Sequence, residues 1–234
     1  MATAKPASSA HPDQPIFNVA LADDHPIVMD GIAAVLQRLP YVRVVVRATD
    51  GRQLLDALPK AGPIHLAFVD LSMPVMDGFE TIAALRELWP DLPAIAFSFN
   101  NSDQWILKAM HLGARGYIVK TEGNGNPFVQ AVEQMRTNGC YITERVHRCM
   151  LENPDGISKE ERERKEALAL LSSRHLEVIK EVISDREPNS TQAAANLNLK
   201  PRTVDSHIYN ICKLLGLKSR MGLGLWAVRA GLVK

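Results

Sequence analysis

The sequence predicts an α/β domain built on a doubly wound five-stranded parallel sheet, followed by a small all-α domain. Three observations support this. Five short apolar runs alternate with stretches of helical spacing, charged or hydroxyl groups recur where those runs end, and after Cys149 the alternation stops. At 234 residues the chain has room for one to two domains of ordinary size. Apolar residues at 46% against 23% charged describe a globular chain with proper cores.

The elements follow in order. The first fifteen residues, MATAKPASSAHPDQP, are small, polar and proline-rich and lack the apolar run of a signal peptide, so residues 1–15 are expected to be a disordered tail. From Ile16 the strands are expected in IFNVALA, VRVVVRA, IHLAFVD, LPAIAFS and ARGYIVK, with helices starting near Pro26, Gly51, Gly78, Ser102 and Asn126. Five such alternations over residues 16–140 imply a parallel sheet covered on both faces. The segment ENPDGISKEERERKEALAL opens with turn residues and continues as a charge-dense helix, which reads as a linker over 141–168. Residues 169–234 then show four helical stretches, near 172–184, 190–197, 201–214 and 219–230.

Several classes are excluded or disfavoured. No stretch approaches the roughly 18 apolar residues of a membrane span, so no membrane association is expected and the chain is placed in the cytoplasm. Cys140, Cys149 and Cys212 form neither a CxxC pair nor a zinc spacing and read as reduced thiols. Net charge is +1, but residues 167–234 hold ten Lys or Arg against five Asp or Glu, so the second domain is the one able to approach an anion.

In an open parallel sheet, ligands sit beyond the carboxyl ends of the strands, where the strand order reverses. The residues ending the expected strands are Asp23 and Asp24, Asp70, Ser98 and Lys120. Converging carboxylates repel unless a cation joins them, and Mg²⁺ takes one or two carboxylates while leaving positions for water and phosphate oxygens. An ammonium and a hydroxyl beside them suit a phosphoryl group. The cluster therefore points to phosphoryl transfer onto a carboxylate.

The segments VALADDHPIVMDGI, AFVDLSMPVMDGFE and GARGYIVK resemble the receiver domain of two-component response regulators, a flavodoxin-like fold, over residues 16–139. The resemblance implies Asp70 as phosphoacceptor, and Asp24, Asp23, Asp70 and the backbone carbonyl of Ser72 around a Mg²⁺ ion. It further implies that Lys120 and Ser98 bind the phosphoryl group and that Tyr117 is a switch aromatic, with a histidine kinase or phosphotransfer protein as partner. Phe99-Asn100-Asn101 departs from the usual small and charged residues after the hydroxyl.

LSSRHLEVIKEVISD, NSTQAAANLNL and KPRTVDSHIYNICKLLGLKSR resemble the helix-turn-helix domain of the NarL/FixJ (LuxR-type) family over residues 171–233. Pro201 suits a first helical position, and Asn189 with Gln192 approximates a capping box. Val204, Ile208, Ile211 and Leu215 form an apolar stripe at helical spacing. Arg202, Thr203, Asp205, Ser206, Tyr209, Asn210 and Lys213 are then the expected contacts to double-stranded DNA. Lys200, Asp205 and Leu214 stand where relatives carry a capping serine and two lysines. Asp205 either accepts from a cytosine amino group or marks weakened DNA binding.

Together these features read as a transcription regulator, not an enzyme, that is phosphorylated on Asp70 and active as a homodimer. One alternative is a phosphorylation-switched adaptor whose second domain binds protein. An aspartate-nucleophile phosphatase would need an acid where Ser72 stands.

Overall fold

The computed structural model describes residues 15–121, 126–184 and 188–233. The tail expected over residues 1–15 lies outside the described residues as far as residue 14. The chain divides into two compact units, Met1–Ser158 and Lys159–Lys234.

The first unit is a five-stranded sheet in the order β2-β1-β3-β4-β5, every pairing parallel. Its strands are β1 (Phe17–Ala22), β2 (Val42–Ala48), β3 (Leu66–Asp70), β4 (Ala94–Ser98) and β5 (Tyr117–Val119). Strands β3 and β4 are buried at every position, as strands covered on both faces must be, whereas the edge strand β2 alternates and carries the register shift opposite Val19/Ala20. Two apolar layers form the core, one around Val69, Ile82, Leu85 and Ile106, the other around Leu21, Phe68, Phe97 and Phe128. The strand order reverses between β1 and β3, which locates the ligand crevice at their carboxyl ends.

Helices α1 (Pro26–Leu36), α2 (Gly51–Ala57), α3 (Gly78–Leu88), α4 (Asp103–Leu112) and α5 (Pro127–Asn138) alternate with the strands. Their starts follow local chemistry. Proline occupies the first turn of α1 and α5, where its missing N–H costs no bond, and Asp77 caps α3 reciprocally with Glu80. Of the residues expected to link the domains, Glu144–Glu152 form α6, whose Val146 and Cys149 are buried in the core layer that α4 completes. Lys159–Ala169 form α7, which buries none of its residues.

The second unit contains α7 and then α8 (Ser173–Val182), α9 (Ser190–Asn196), α10 (Pro201–Leu214) and α11 (Arg220–Arg229). Asn189 and Gln192 make the expected capping box, while Lys200 caps α10 with no side-chain bond. The turn from α9 to α10 closes through Asn198 at φ +51, with Leu199 N–H donating back to the Ala194 carbonyl at 2.8 Å. Val204 and Ile211 are fully buried and Ile208 and Leu215 partly so; Cys212 joins them in the core.

Candidate functional site

Each strand-end residue is placed by the strand before it. Asp23 follows β1 and its side chain is fully buried; Asp70 closes β3 at 2% exposure. Lys120 follows β5, its N–H donating to the Ser98 carbonyl at 2.8 Å, so the end of β4 fixes where the lysine starts. The Lys120 ammonium lies 2.8 Å from Asp23 Oδ2 and 3.1 Å from Asp70 Oδ1, and the lysine side chain is only 7% exposed. It also faces the Phe97 and Phe99 rings at 4.8 and 4.9 Å. Three ionisable groups from three strands thus share one buried pocket.

Burial pushes the Asp70 carboxyl up from its ordinary value; the Lys120 ammonium pulls it down, and Asp23 and Asp24 push it further up. Asp24 Oδ1 is the one buried side-chain oxygen among the described residues with no hydrogen-bond partner, and His25 Nδ1 stands 2.8 Å from it as an ion-pair neighbour. Ligand atoms of Asp23, Asp24 and His25 all lie within 4.8 Å of one another. An orphaned carboxylate oxygen beside two more carboxylates fits a hard cation that prefers oxygen, as Mg²⁺ does. His25 is the site neighbour that sequence reasoning passed over, and its only sequence signal was adjacency to the acidic pair.

Ser98, buried at the end of β4, accepts from the Asn100 N–H at 3.1 Å through its Oγ. Tyr117 is buried, and its hydroxyl donates to the Asn100 carbonyl at 2.7 Å. Burial, partly opposed by Ser98, pushes that phenol up to about 12, so it remains a donor at neutral pH. The loop after Ser98 therefore joins the hydroxyl to the aromatic through Asn100. It is also held from α6, where Arg145 reaches the Asn101 carbonyl and Asp103.

Ser72 lies two residues past Asp70, exposed, in the loop leading to α3. That loop is tightly constrained. Val75 sits at φ +64, closed by a Met76 N–H donating to the Pro74 carbonyl at 2.7 Å, a strained geometry for a β-branched residue. Gly78 follows because a Cβ there would stand 2.1 Å from the Asp70 carbonyl oxygen. The close approach of α3 to the end of β3 is possible only with glycine.

In the second unit, α10 presents Arg202, Asp205, Ser206, Tyr209, Asn210 and Lys213 to solvent, with Thr203 half-buried and Tyr209 68% exposed. His207 packs edge-on to His175 at 5.8 Å between ring centroids. Ser190, the first residue of α9, donates through Oγ to Asp205 Oδ1 at 2.6 Å, a bond the sequence did not announce.

Comparison with known proteins agrees with both units. Residues 19–133 match the response regulator receiver domain, and residues 169–227 match the bacterial regulatory proteins of the luxR family. The transcriptional regulatory protein UhpA of Salmonella typhimurium is 31% identical over 209 residues, covering 89% of this chain and 96% of UhpA. The nitrate/nitrite response regulator protein NarL of Escherichia coli is 26% identical, over 89% of this chain and 93% of its own. Among solved structures, RcsB of Salmonella enterica serovar Typhimurium, bound to the promoter P1flhDC with the phosphomimetic BeF₃⁻, aligns with a TM-score of 0.56 at 26% identity. That alignment covers 90% of this chain and 97% of RcsB.

Proposed function

The chain belongs to the response regulators of the NarL/FixJ family, and from that premise we propose that Asp70 is its phosphoacceptor and that the state of Asp70 governs sequence-specific DNA binding through α10. The observation that carries the reading is the buried convergence of Asp23, Asp70 and Lys120 at the strand ends. A structural ion pair would not need two carboxylates on one lysine beside a third carboxylate whose buried oxygen accepts no hydrogen bond.

An Asp70 oxygen attacks the phosphorus of a partner's phosphohistidine; the P–O bond forms as the P–N bond breaks, and the electron pair leaves on the imidazole nitrogen. Lys120 pairs with the phosphoryl oxygens, exchanging part of its contact with Asp70 for them. Asp23, Asp24, Asp70 and the Ser72 carbonyl would hold Mg²⁺, which neutralises phosphoryl charge as a Lewis acid. The acyl phosphate brings about −1.5 to −2 charge and three acceptor oxygens to the place of one carboxylate. Ser98 Oγ turns to donate to the new group, and that shift pulls on the Asn100 N–H it accepts from, which moves the loop that also holds Tyr117. The equilibrium between two packings of that face then shifts.

The output is carried by the exposed face of α10, which meets DNA as the second helix of a helix-turn-helix does, two copies reading adjacent half-sites. Regulation of transcription without turnover of a substrate, in the cytoplasm, follows from this reading. No helix among the described residues is long and apolar enough to cross a membrane. Asp205 on that face favours a second reading, a protein-binding output, which predicts no salt-sensitive DNA binding.

Incubation of the full chain with Mg²⁺ and a small acyl phosphate, followed by borohydride reduction and peptide mass analysis, tests the first half. Label confined to Asp70 and lost in Asp70→Asn supports the reading. Label on another carboxylate, or none, overturns it.

A further inference from the structure

We propose that Asp205 is a specificity-determining residue that reads a cytosine, and that Ser190 positions it; the inference rests on the proposed DNA binding by α10. Asp205 lies in the N-terminal half of α10, the part of a recognition helix that meets base edges, and it is exposed on the face shared with Arg202 and Tyr209. Its charge makes it a poor neighbour for phosphates, so it has no use in non-specific affinity. A carboxylate on such a face either weakens binding or discriminates between bases.

The bond from Ser190 decides in favour of discrimination. Ser190 Oγ donates to Asp205 Oδ1 at 2.6 Å, across from one helix of the motif to the other. A hydroxyl that donates to one oxygen restricts the carboxylate's rotation and leaves Oδ2, an acceptor in the ionised group, to meet a base. Guanine and thymine present acceptors at the corresponding major-groove positions and repel it, and adenine sets an acceptor N7 beside its amino group. Cytosine presents the N4 amino donor with an acceptor on one side only, the paired guanine O6, where adenine's amino lies between its own N7 and the paired thymine O4. A free, unpaired aspartate would lose rotamer entropy on docking; this one is already held.

The test is selection from a random duplex pool by the full chain, at one fixed salt concentration with Mg²⁺ and beryllium fluoride as phosphoryl mimic, for the wild-type protein, Asp205→Asn and Ser190→Ala. The wild-type chain should enrich a cytosine at one position of each half-site, by about tenfold over other bases. Asparagine pairs with adenine through N6 and N7, so Asp205→Asn should move the preference at that position to adenine and leave the others unchanged. Ser190→Ala should flatten the cytosine preference while other positions persist. Asp205→Asn enriching the wild-type motif at every position would overturn the role of Asp205. An unaltered motif from Ser190→Ala would overturn that of Ser190. No enrichment by the wild-type chain would instead overturn DNA reading by α10, and this inference with it.

Discussion

Replacing Lys120 with methionine keeps most of the apolar stem, one atom shorter, and removes the ammonium with its charge and its three donors. Asp23 and Asp70, at 0% and 2% exposure, would then face each other without the ammonium that lies 2.8 and 3.1 Å from them. At an effective dielectric of about 20, each pair at that separation attracts by roughly 5 kcal/mol, much of which only offsets the desolvation of three charges. Removing one partner of a buried ion pair costs about 3–5 kcal/mol, and that is the expected loss in urea denaturation in the presence of EDTA. The deficit has a sign in pH. Asp70 is already raised by burial, and losing Lys120 removes what lowers it, so the native state holds its proton to higher pH than the unfolded chain. Stability of the variant should therefore be lost as pH rises through that raised value and regained as pH falls. Mg²⁺ should narrow the gap by as much as it binds the uncompensated carboxylates of the variant more tightly, a tenfold lower Kd than wild type being worth about 1.4 kcal/mol at saturating ion. A Lys120→Met protein within about 1 kcal/mol of wild type in EDTA would show that water, not the lysine, compensates these carboxylates.

Other consequences are as specific. Gly78→Ala would force a Cβ to within 2.1 Å of the Asp70 carbonyl, so it should cost roughly 3 kcal/mol or more by denaturant titration and slow phosphorylation at Asp70. Val75→Asn should stabilise the protein by about 1 kcal/mol, since Val75 is 86% exposed and loses no packing while asparagine tolerates its positive φ. Cys149, pushed up to about 11 by burial and by the nearby Asp103, and Cys212, also raised by burial, should resist iodoacetamide at pH 8, whereas half-buried Cys140 reacts first in a mass-spectrometric time course.

The sheet and its site were legible because both depend on local pattern. Strands β1, β3, β4 and β5 are short apolar runs that end on or just before the residues of interest, so the alternation alone brought Asp23, Asp24, Asp70, Ser98 and Lys120 to one edge. The apolar spacing of α10 likewise fixed which residues face outward. What escaped depends on how separate elements meet. Helix α6 looks like linker because four of its nine residues are charged, and only Val146 and Cys149, three apart, bury it. The hold of Arg145 on the loop after Ser98 spans more than forty residues and has no local signature. The Ser190–Asp205 bond needs the angle between two helices, and the orphaned oxygen of Asp24 needs a count of donors in three dimensions. Glycine at 78 reads as a turn residue in sequence; only the distance to the Asp70 carbonyl shows that it is there for close approach.

The most direct test of the account is the affinity of the full chain for a duplex recovered by selection, measured with Mg²⁺ at two salt concentrations, with and without beryllium fluoride as phosphoryl mimic, for wild type and Asp70→Asn. The account predicts that the mimic tightens or otherwise shifts binding by the wild-type chain, that binding weakens with salt in every case, and that Asp70→Asn does not respond to the mimic. An identical response from wild type and Asp70→Asn, or binding indifferent to the mimic in both, would contradict it.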